Sequence, residues 1–406
     1  MNMTNTTTAR YAAACLLICS SWLQQAKAQF TPKANKQVLQ LVNNDLDFAV
    51  KQYKHMAQHV PEKLLPRTTN SDGGLMTSNT GWWTSGFYPG TLWYLYEYAH
   101  DTAVQAEATK RMLLLTKEQY NKGTHDLGFM MYCSFGNAYR LQPSDAYKKI
   151  LITSSNSLST RFKPTVGCIK SWDNKEWQFP VIIDNMMNLE LLCWASKATG
   201  DSSYLHIAKT HANTTMAHHF RPDYSSYHVV NYDTTTGKVI SRITAQGYAD
   251  ESAWSRGQAW GLYGYTVMYR ETKDPAYLQQ AQHIAAYILN NPAMPKDLVP
   301  YWDYNIPDTA NAKRDASAAA ITASALLELS TYADKKEGTK YWTAAESIIR
   351  SLSSAAYLAK EGENNNFLLM HSTGFFKANS EVDVPLTYAD YYFVEALMRY
   401  KKLTGK

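Results

Sequence analysis

Thr199-Gly200-Asp201-Ser202-Ser203-Tyr204 is the turn whose reading decides the architecture. Before it, Met187, Leu191 and Trp194 fall at helical spacing, so a helix is expected over about Met186 to Ala195. Asp201 then suits the N-cap of a following helix, because a short carboxylate accepts hydrogen bonds from the first free backbone N–H groups. The same order of helix end, polar turn, Asp and often Tyr recurs at Asp101, Asp145 (with Tyr147), Asp274 (with Tyr277) and Asp334 (with Tyr341). These turns stand roughly 45–70 residues apart, a period that suits stacked helix-turn-helix units. Apolar positions support them: Leu92, Leu95, Tyr96 and Ala99 behind Pro89, and Ala281, Ile284, Ala285 and Ile288. An N-terminal helix (about Lys36 to Val60) and a last helix (about Asp390 to Leu403, with Tyr391, Val394, Leu397 and Met398) bring the total to roughly twelve. Twelve helices in hairpins can close into a double ring around a central pocket; an open superhelix is the competing architecture. Between helices, Tyr224 to Thr244 alternates enough to predict a small β-hairpin.

The first 28 residues read as an export signal: Arg10, a short apolar core from Tyr11 to Cys19, and Ala26-Lys27-Ala28 before Gln29. That core is too short to span a bilayer, and no other stretch is apolar enough to cross one. The expected product is an exported chain, periplasmic or secreted, with residues 29–406 forming a single domain. Ile18 before Cys19 suits a lipid-attachment site poorly, which favours full cleavage. Removing Arg10 and Lys27 lowers the net charge from +5 to +3, far from a nucleic-acid footprint. Cys133, Cys168 and Cys193 remain, an odd count that allows at most one bridge, at spacings unlike a metal site. No Gly-rich phosphate loop, Gly-x-Ser-x-Gly elbow or paired-His helix occurs, so nucleotide, serine-nucleophile and metal chemistry lose ground, and no cofactor or metal is expected. Nor does the sequence indicate an obligate protein partner.

The chain is 13% aromatic, with 29 Tyr and 11 Trp, and several Trp stand beside Gly, Ser, Arg or Asp rather than in apolar runs. Aromatic faces next to polar groups suit sugar rings, although ordinary half-buried aromatics read the same way. Two acids lie at element ends among apolar residues. Val181-Ile182-Ile183-Asp184-Asn185 leads into a helix, and His125-Asp126-Leu127-Gly128-Phe129 has a similar setting. Burial and a neighbouring carboxylate both disfavour ionisation, so one of two such acids can hold a proton near neutral pH while the other stays charged. Asp184 also reads as an N-cap and Asp126 as a turn acid. In Trp254-Ser255-Arg256-Gly257-Gln258-Ala259-Trp260, Arg256 and Trp260 share a helix face, an arrangement that suits a carboxylate beside a stacked ring, or else an Arg lying over a surface Trp. Arg314-Asp315 reads equally as an ion pair or helix cap.

These segments together resemble family 88 of the glycoside hydrolases, the unsaturated glucuronyl hydrolases. The resemblance rests on Trp83-Thr84-Ser85-Gly86-Phe87, the Asp126 and Asp184 segments, Ser225-Ser226-Tyr227-His228, Trp254 to Trp260, Tyr301-Trp302-Asp303, Arg314-Asp315-Ala316-Ser317 and Asp390-Tyr391-Tyr392. It implies an all-α (α/α)6 barrel, six helical hairpins in a double ring. It implies that Asp184 is the general acid/base and Asp126 its essential partner. It places His125, His228, Gln246 and Arg256 around the substrate's uronate, with Trp83, Trp172, Trp254 and Trp260 as aromatic lining. The implied substrates are oligosaccharides left by polysaccharide lyases, glycosaminoglycan-derived in the first instance, with a C4=C5 double bond in the non-reducing uronate. The implied reaction is hydration of that bond. Ser85 stands where some relatives carry an acid, and Trp82 doubles the tryptophan. His371-Ser372-Thr373-Gly374-Phe375-Phe376-Lys377 makes Lys377 a candidate for sulfate recognition, at an imperfect spacing. The sister family acting on unsaturated rhamnogalacturonan shares the barrel and chemistry. A non-catalytic glycan-binding toroid and a helical-solenoid scaffold are the readings from other classes.

Overall fold

Hydrogen-bonding side chains at the turns set the helix boundaries of this chain, whose computed structural model describes residues 29–406. The export signal expected over residues 1–28 lies outside the described residues. Asp101, Asp201, Asp274 and Asp334 cap α3 (Thr102–Leu114), α7 (Ser202–His218), α9 (Pro275–Asn290) and α11 (Lys335–Leu352), each accepting from backbone N–H groups of the first turn. The fifth turn differs by one residue. Ser144 caps α5 (Asp145–Ser159), and Asp145 occupies the first turn instead, where its charge suits the positive end of the helix dipole.

These five are outer helices, and α1 (Lys36–His59) is the sixth. The inner helices are α2 (Phe87–Ala99), α4, α6 (Asn185–Thr199), α8 (Ser255–Thr272), α10 (Ala316–Ser330) and α12 (Thr387–Thr404). Helix α4 begins as a π-helix, Gly128–Gly136, and ends as an α-helix, Asn137–Leu141. Each inner helix packs on the next in chain order, and α12 returns to α2, so the ring closes. Among the described residues this makes twelve long elements in an (α/α)6 barrel, not an open superhelix. Burial follows position: α10 is buried along its whole length, whereas α11 buries one stripe. One apolar cluster runs from Val38 in α1 to Tyr400 in α12.

Two glycines let inner helices meet at backbone distance. A Cβ on Gly264 of α8 would sit 2.5 Å from that of Met186 in α6, and one on Gly128 would sit 2.5 Å from the Cα of Asn188. The second contact brings the start of α4 against the first turn of α6, and so brings Asp126 towards Asp184.

Four small sheets decorate one end of the ring. Strands β1 (Leu65–Thr69) and β2 (Leu75–Ser78) pair, as do β3 (Phe162–Lys163) and β4 (Cys168–Ile169). The hairpin expected within Tyr224 to Thr244 is β6 (Val229–Tyr232) and β7 (Val239–Ile243). It gains a third strand, β5 (Pro180–Ile182), because the apolar run before Asp184 has the alternate hydrogen bonds and burial to pair with β6. Strands β8 (Ser372–Phe375) and β9 (Ser380–Val384) form the last hairpin. Cys133, Cys168 and Cys193 are all free thiols. Among the described residues no helix is long and apolar enough to cross a membrane.

Candidate active site

The inner helices present their N-termini to the end of the ring that the sheets cover. A cavity of about 280 Å³ opens there, lined by Trp83 ahead of α2, Asp126 ahead of α4, Asp184 and Arg256 at the starts of α6 and α8, and Tyr388 in the first turn of α12. Converging helix N-termini favour an anion in this space. The opposite end of the ring holds a larger cavity, about 860 Å³, but its acids are already paired: Glu97 with Arg140, Glu190 with Arg270, and Glu395 with Arg399.

Asp184 stands at the N-cap position of α6 yet makes no cap bond. Its backbone is already helical (φ −57°, ψ −27°), so the carboxylate does not fold back onto the first turn as it would from an extended residue. The carboxyl points instead into the cavity, 8% exposed, with Oδ2 bonded to nothing. Asp126 is 9% exposed and accepts only a long bond, 3.3 Å, from the Thr124 hydroxyl. Its position is fixed from behind: Met130 N–H donates to the Asp126 carbonyl, and Asn188 Oδ1 accepts from Phe129 N–H. Burial pushes both acids from 3.8 up to about 7, and the charge of Asp126 pushes Asp184 further in the same direction. Arg256 pulls Asp184 back down, and Asn188 and Arg161 do the same for Asp126.

Two neutral histidines sit behind these acids in opposite tautomers. His125 Nδ1 lies 2.9 Å from the Ser171 carbonyl and therefore donates to it. That leaves Nε2 a bare acceptor 3.2 Å from Asp126 Oδ1, an arrangement that favours a proton on Asp126. His228 Nδ1 accepts from the backbone N–H groups of Ala245 and Gln246, so Nε2 carries the hydrogen. It faces Asp184 Oδ2 at 3.8 Å and favours the carboxylate form there. Burial holds each imidazole neutral by lowering its pKa to about 3, with Arg161 acting on His125 and Arg256 on His228.

The structure brings Trp83, His125, Trp172, Gln246 and Arg256 onto the cavity wall with the two acids. His228 lies one layer back, between Trp254 and Trp172. Trp254 and Trp260 are both buried, Trp254 against His228 and Trp260 against Phe129, and the Trp260 indole is directed at Asp184, whose carboxylate form it favours. Lys377 is exposed, in the turn between β8 and β9, and the cavity wall takes Phe375 and Ser380 from either side of it. The expected carboxylate clamp at Arg256 is largely spent on the fold. Its Nη1 binds Asp315 Oδ2 at 2.9 Å and the Thr373 carbonyl, and its Nη2 binds the Gly374 carbonyl at 2.6 Å. Only Nε remains without a partner. Arg256 thus ties the β8–β9 hairpin over α8, and Asp315, the N-cap of α10, completes the tie. Gln246 adds a bond to the Gly374 carbonyl at 3.0 Å.

Sequence reasoning missed Tyr388, whose hydroxyl is buried at the cavity wall with no hydrogen-bond partner. It also missed Arg67, Phe375 and Glu381. The nearest signal was the Asp390-Tyr391-Tyr392 segment, two residues beyond Tyr388. The assembled cavity offers a proton donor with an unbonded oxygen, a second acid, a buried positive charge, unpartnered Nε and hydroxyl donors, and tryptophan faces. These suit acid/base chemistry on an anionic sugar.

No protein-family model matches the chain. It is similar to the unsaturated glucuronyl hydrolase of Formosa agariphila, 49% identical over 327 residues, covering 80% of this chain and 81% of that protein. Among solved structures it resembles an unsaturated glucuronyl hydrolase specific for heparin, with a TM-score of 0.89 and 51% identity over 90% of this chain and 98% of that one. It also resembles a variant of the Streptococcus agalactiae unsaturated glucuronyl hydrolase complexed with dGlcA-GalNAc6S, with a TM-score of 0.76, 30% identity, and coverage of 88% of this chain and 91% of that one.

The raised acids make stability depend on pH with a definite sign. The unfolded chain ionises Asp184 near 3.8 and the folded chain near 7, so the fold loses stability as pH rises across that interval and the full cost is present above it. Asp184→Asn removes a buried charge that the fold tolerates poorly. It is expected to stabilise the protein above about pH 7, by an increment that shrinks on acidification and vanishes below about pH 4. Urea unfolding at a series of pH values checks this; a variant destabilised equally at every pH contradicts it.

Proposed function

Because the chain belongs to the unsaturated glucuronyl hydrolases, family 88 of the glycoside hydrolases, we propose that Asp184 is its proton donor and acceptor and Asp126 the partner acid. The observation that carries this reading is the placing of both carboxyls, pushed by burial to about 7, in one tryptophan-walled cavity. The substrate is an oligosaccharide with a 4,5-unsaturated uronate at its non-reducing end. Protonated Asp184 delivers its proton to C4. Positive charge develops at C5 and is shared with the ring oxygen. Water adds to C5 and gives up a proton to the Asp184 carboxylate, which restores the acid. The C5 hemiketal then opens, and the neighbouring sugar departs.

The surroundings suit each step. When Asp184 has given up its proton, the His228 Nε2–H and the Arg256 charge stabilise the carboxylate that remains. A proton held between Asp126 and His125 keeps Asp126 neutral, so that the substrate's own carboxylate does not meet two further negative charges. The unpartnered Nε of Arg256 and hydroxyl of Tyr388 are the donors left for the uronate. This is addition to an enol ether, so the carboxylate spacing that separates retaining from inverting glycosidases does not govern it.

The substrate class we propose is glycosaminoglycan-derived, in line with the heparin-specific and chondroitin-disaccharide relatives. Residues 29–406 act as one catalytic domain, exported to the periplasm or secreted after cleavage near Ala28. A mature N-terminus at Gln29 in protein recovered from outside the cytoplasm checks the export; an intact Met1 there refutes it.

Loss of near-ultraviolet absorbance follows consumption of the double bond. Asp184→Asn is expected to slow it by at least about 10²-fold, the low end of what a positioned acid/base contributes. In the unmutated protein kcat/KM is expected to fall as pH rises through about 7, because Asp184 must be protonated to donate. A near-normal rate in the variant sinks the assignment. A panel of lyase digests addresses the substrate class: faster loss of absorbance with heparin or chondroitin digests than with pectin digests is expected, and the reverse order transfers the chain to rhamnogalacturonan breakdown.

A further inference from the structure

Asn188 belongs to α6, four residues beyond Asp184 and on the same face, yet its side chain serves the segment of the other acid. That side chain is fully buried. The N–H groups at the start of α4 have no carbonyl within that helix to bond, and Phe129 N–H is one of them. Asn188 Oδ1 accepts it at 3.0 Å. A backbone N–H can only donate, so this contact fixes which way round the amide lies. The amide nitrogen is thereby turned away from Phe129. It is directed at the Asp126 carboxyl, and no other group takes its hydrogens.

The spacing here has no room to relax. A Cβ on Gly128 would lie 2.5 Å from the Asn188 Cα and 2.7 Å from its Oδ1, so the start of α4 rests directly on this residue. Asp126 meets unlike demands at the same junction. His125 Nε2, a bare acceptor 3.2 Å from Oδ1, favours a proton on the acid. The Thr124 hydroxyl, 3.3 Å from Oδ2, and Asn188 Nδ2 offer donors. A neutral carboxyl answers all three, with its O–H turned to His125 and its remaining lone pairs to the donors. Without the amide N–H the carboxyl is free to rotate and to carry its proton away from His125.

We propose that Asn188 is a positioning residue for the reaction: its Oδ1 holds the start of α4 while its Nδ2 orients the Asp126 carboxyl, so that α6 carries one acid and aims the other. This rests on the reading of the cavity given above. Asn188 lies behind the cavity wall, so it acts through Asp126 and not on the substrate. The charged or titratable groups that bear on Asp126 are His125 from its own segment, Arg161 just after α5 and Asp184 at the start of α6.

The test compares Asn188→Asp with the unmutated enzyme on one unsaturated disaccharide, with kcat expressed per folded molecule. The substitution is nearly isosteric and keeps an oxygen to accept from Phe129 N–H. A role confined to holding α4 therefore survives it, and only the donor facing Asp126 is lost. Near pH 7, kcat is expected to fall about tenfold or more with KM changed by less than about twofold, the scale of one lost hydrogen bond to a charged or reacting group. As pH falls the new acid takes up a proton and offers an O–H in place of Nδ2, so the ratio of variant to unmutated kcat is expected to rise. Asn188→Ser has no atom where Nδ2 stands. It is expected to lose kcat in the same way without that recovery, and it carries the test if the aspartate variant does not fold. In an Asp126→Asn background either substitution is expected to cost little more, because the group it acts through is already gone. A kcat near normal, a loss carried by KM, a ratio for Asn188→Asp that stays flat with pH, or an undiminished loss in the Asp126→Asn background overturns the proposal. An unmutated protein inert towards unsaturated disaccharides overturns the hydrolase reading and this inference with it, whereas an active enzyme indifferent to Asn188→Asp overturns the inference alone.

Discussion

Desolvation of two carboxyl groups is the constraint to which the rest of the molecule answers. An isolated carboxylate in a low-dielectric site is costly, and the usual response is to take up a proton. Here that response serves as a source of acid. Asp390 shows what separates such a group from an ordinary buried acid. It too is pushed to about 7 by burial, but it accepts from Leu368 N–H, Leu369 N–H and the Tyr53 hydroxyl, and it is fully buried. Asp184 has an unbonded oxygen and an open cavity in front of it. The same physical push yields a structural acid in one place and a reactive one in the other, according to whether a free face remains.

Holding two such acids together needs the ring to be tight at one level. Gly128 lets α4 begin against Asn188, one turn beyond Asp184, and the π-helical start of α4 sets Asp126 at that junction. A helix with an extra residue per turn is seldom kept unless the displacement has a use. The two histidines then separate the acids electrostatically. One presents a bare nitrogen and the other an N–H, each fixed by backbone groups on its far side. Their tautomers are consequences of β-sheet and loop backbone, so the proton inventory of the cavity is written into main-chain hydrogen bonding.

The parts legible in the sequence were those set by local chemistry. Cap aspartates at helix starts, apolar periodicity and the apolar lead into Asp184 all depend on near neighbours, and each marks its element within a few residues. The less legible parts depend on partners far away in the chain. Val181 and Ile182 read as an apolar run because their pairing with Val230 and Val229 is invisible locally. Arg256 read as a ligand clamp because its partners, Asp315, Thr373 and Gly374, lie about sixty to one hundred and twenty residues away. The burial of Trp254 and Trp260 was hidden for the same reason: a tryptophan beside polar residues looks exposed until the second layer is built. Arg67 gave no signal at all, since it is the extra residue of a bulge in β1, and a bulge is a property of two strands in register.

Floor and mouth of the cavity are built from different material, and the difference bears on what each can do. The floor rests on inner-helix starts locked by glycine contacts and by the buried Arg256–Asp315 pair, where removing one charge would strand the other in the core. Small displacements there are costly, which suits proton transfer, whose geometry tolerates little error. The mouth is carried by short strands with bulges, left-handed residues and side-chain ion pairs that are partly solvated. Substitutions in it disturb few core contacts. A ring of this design holds its reacting groups on a rigid floor, while its outer corner rests on a few side-chain contacts such as the Arg67–Glu381 ion pair.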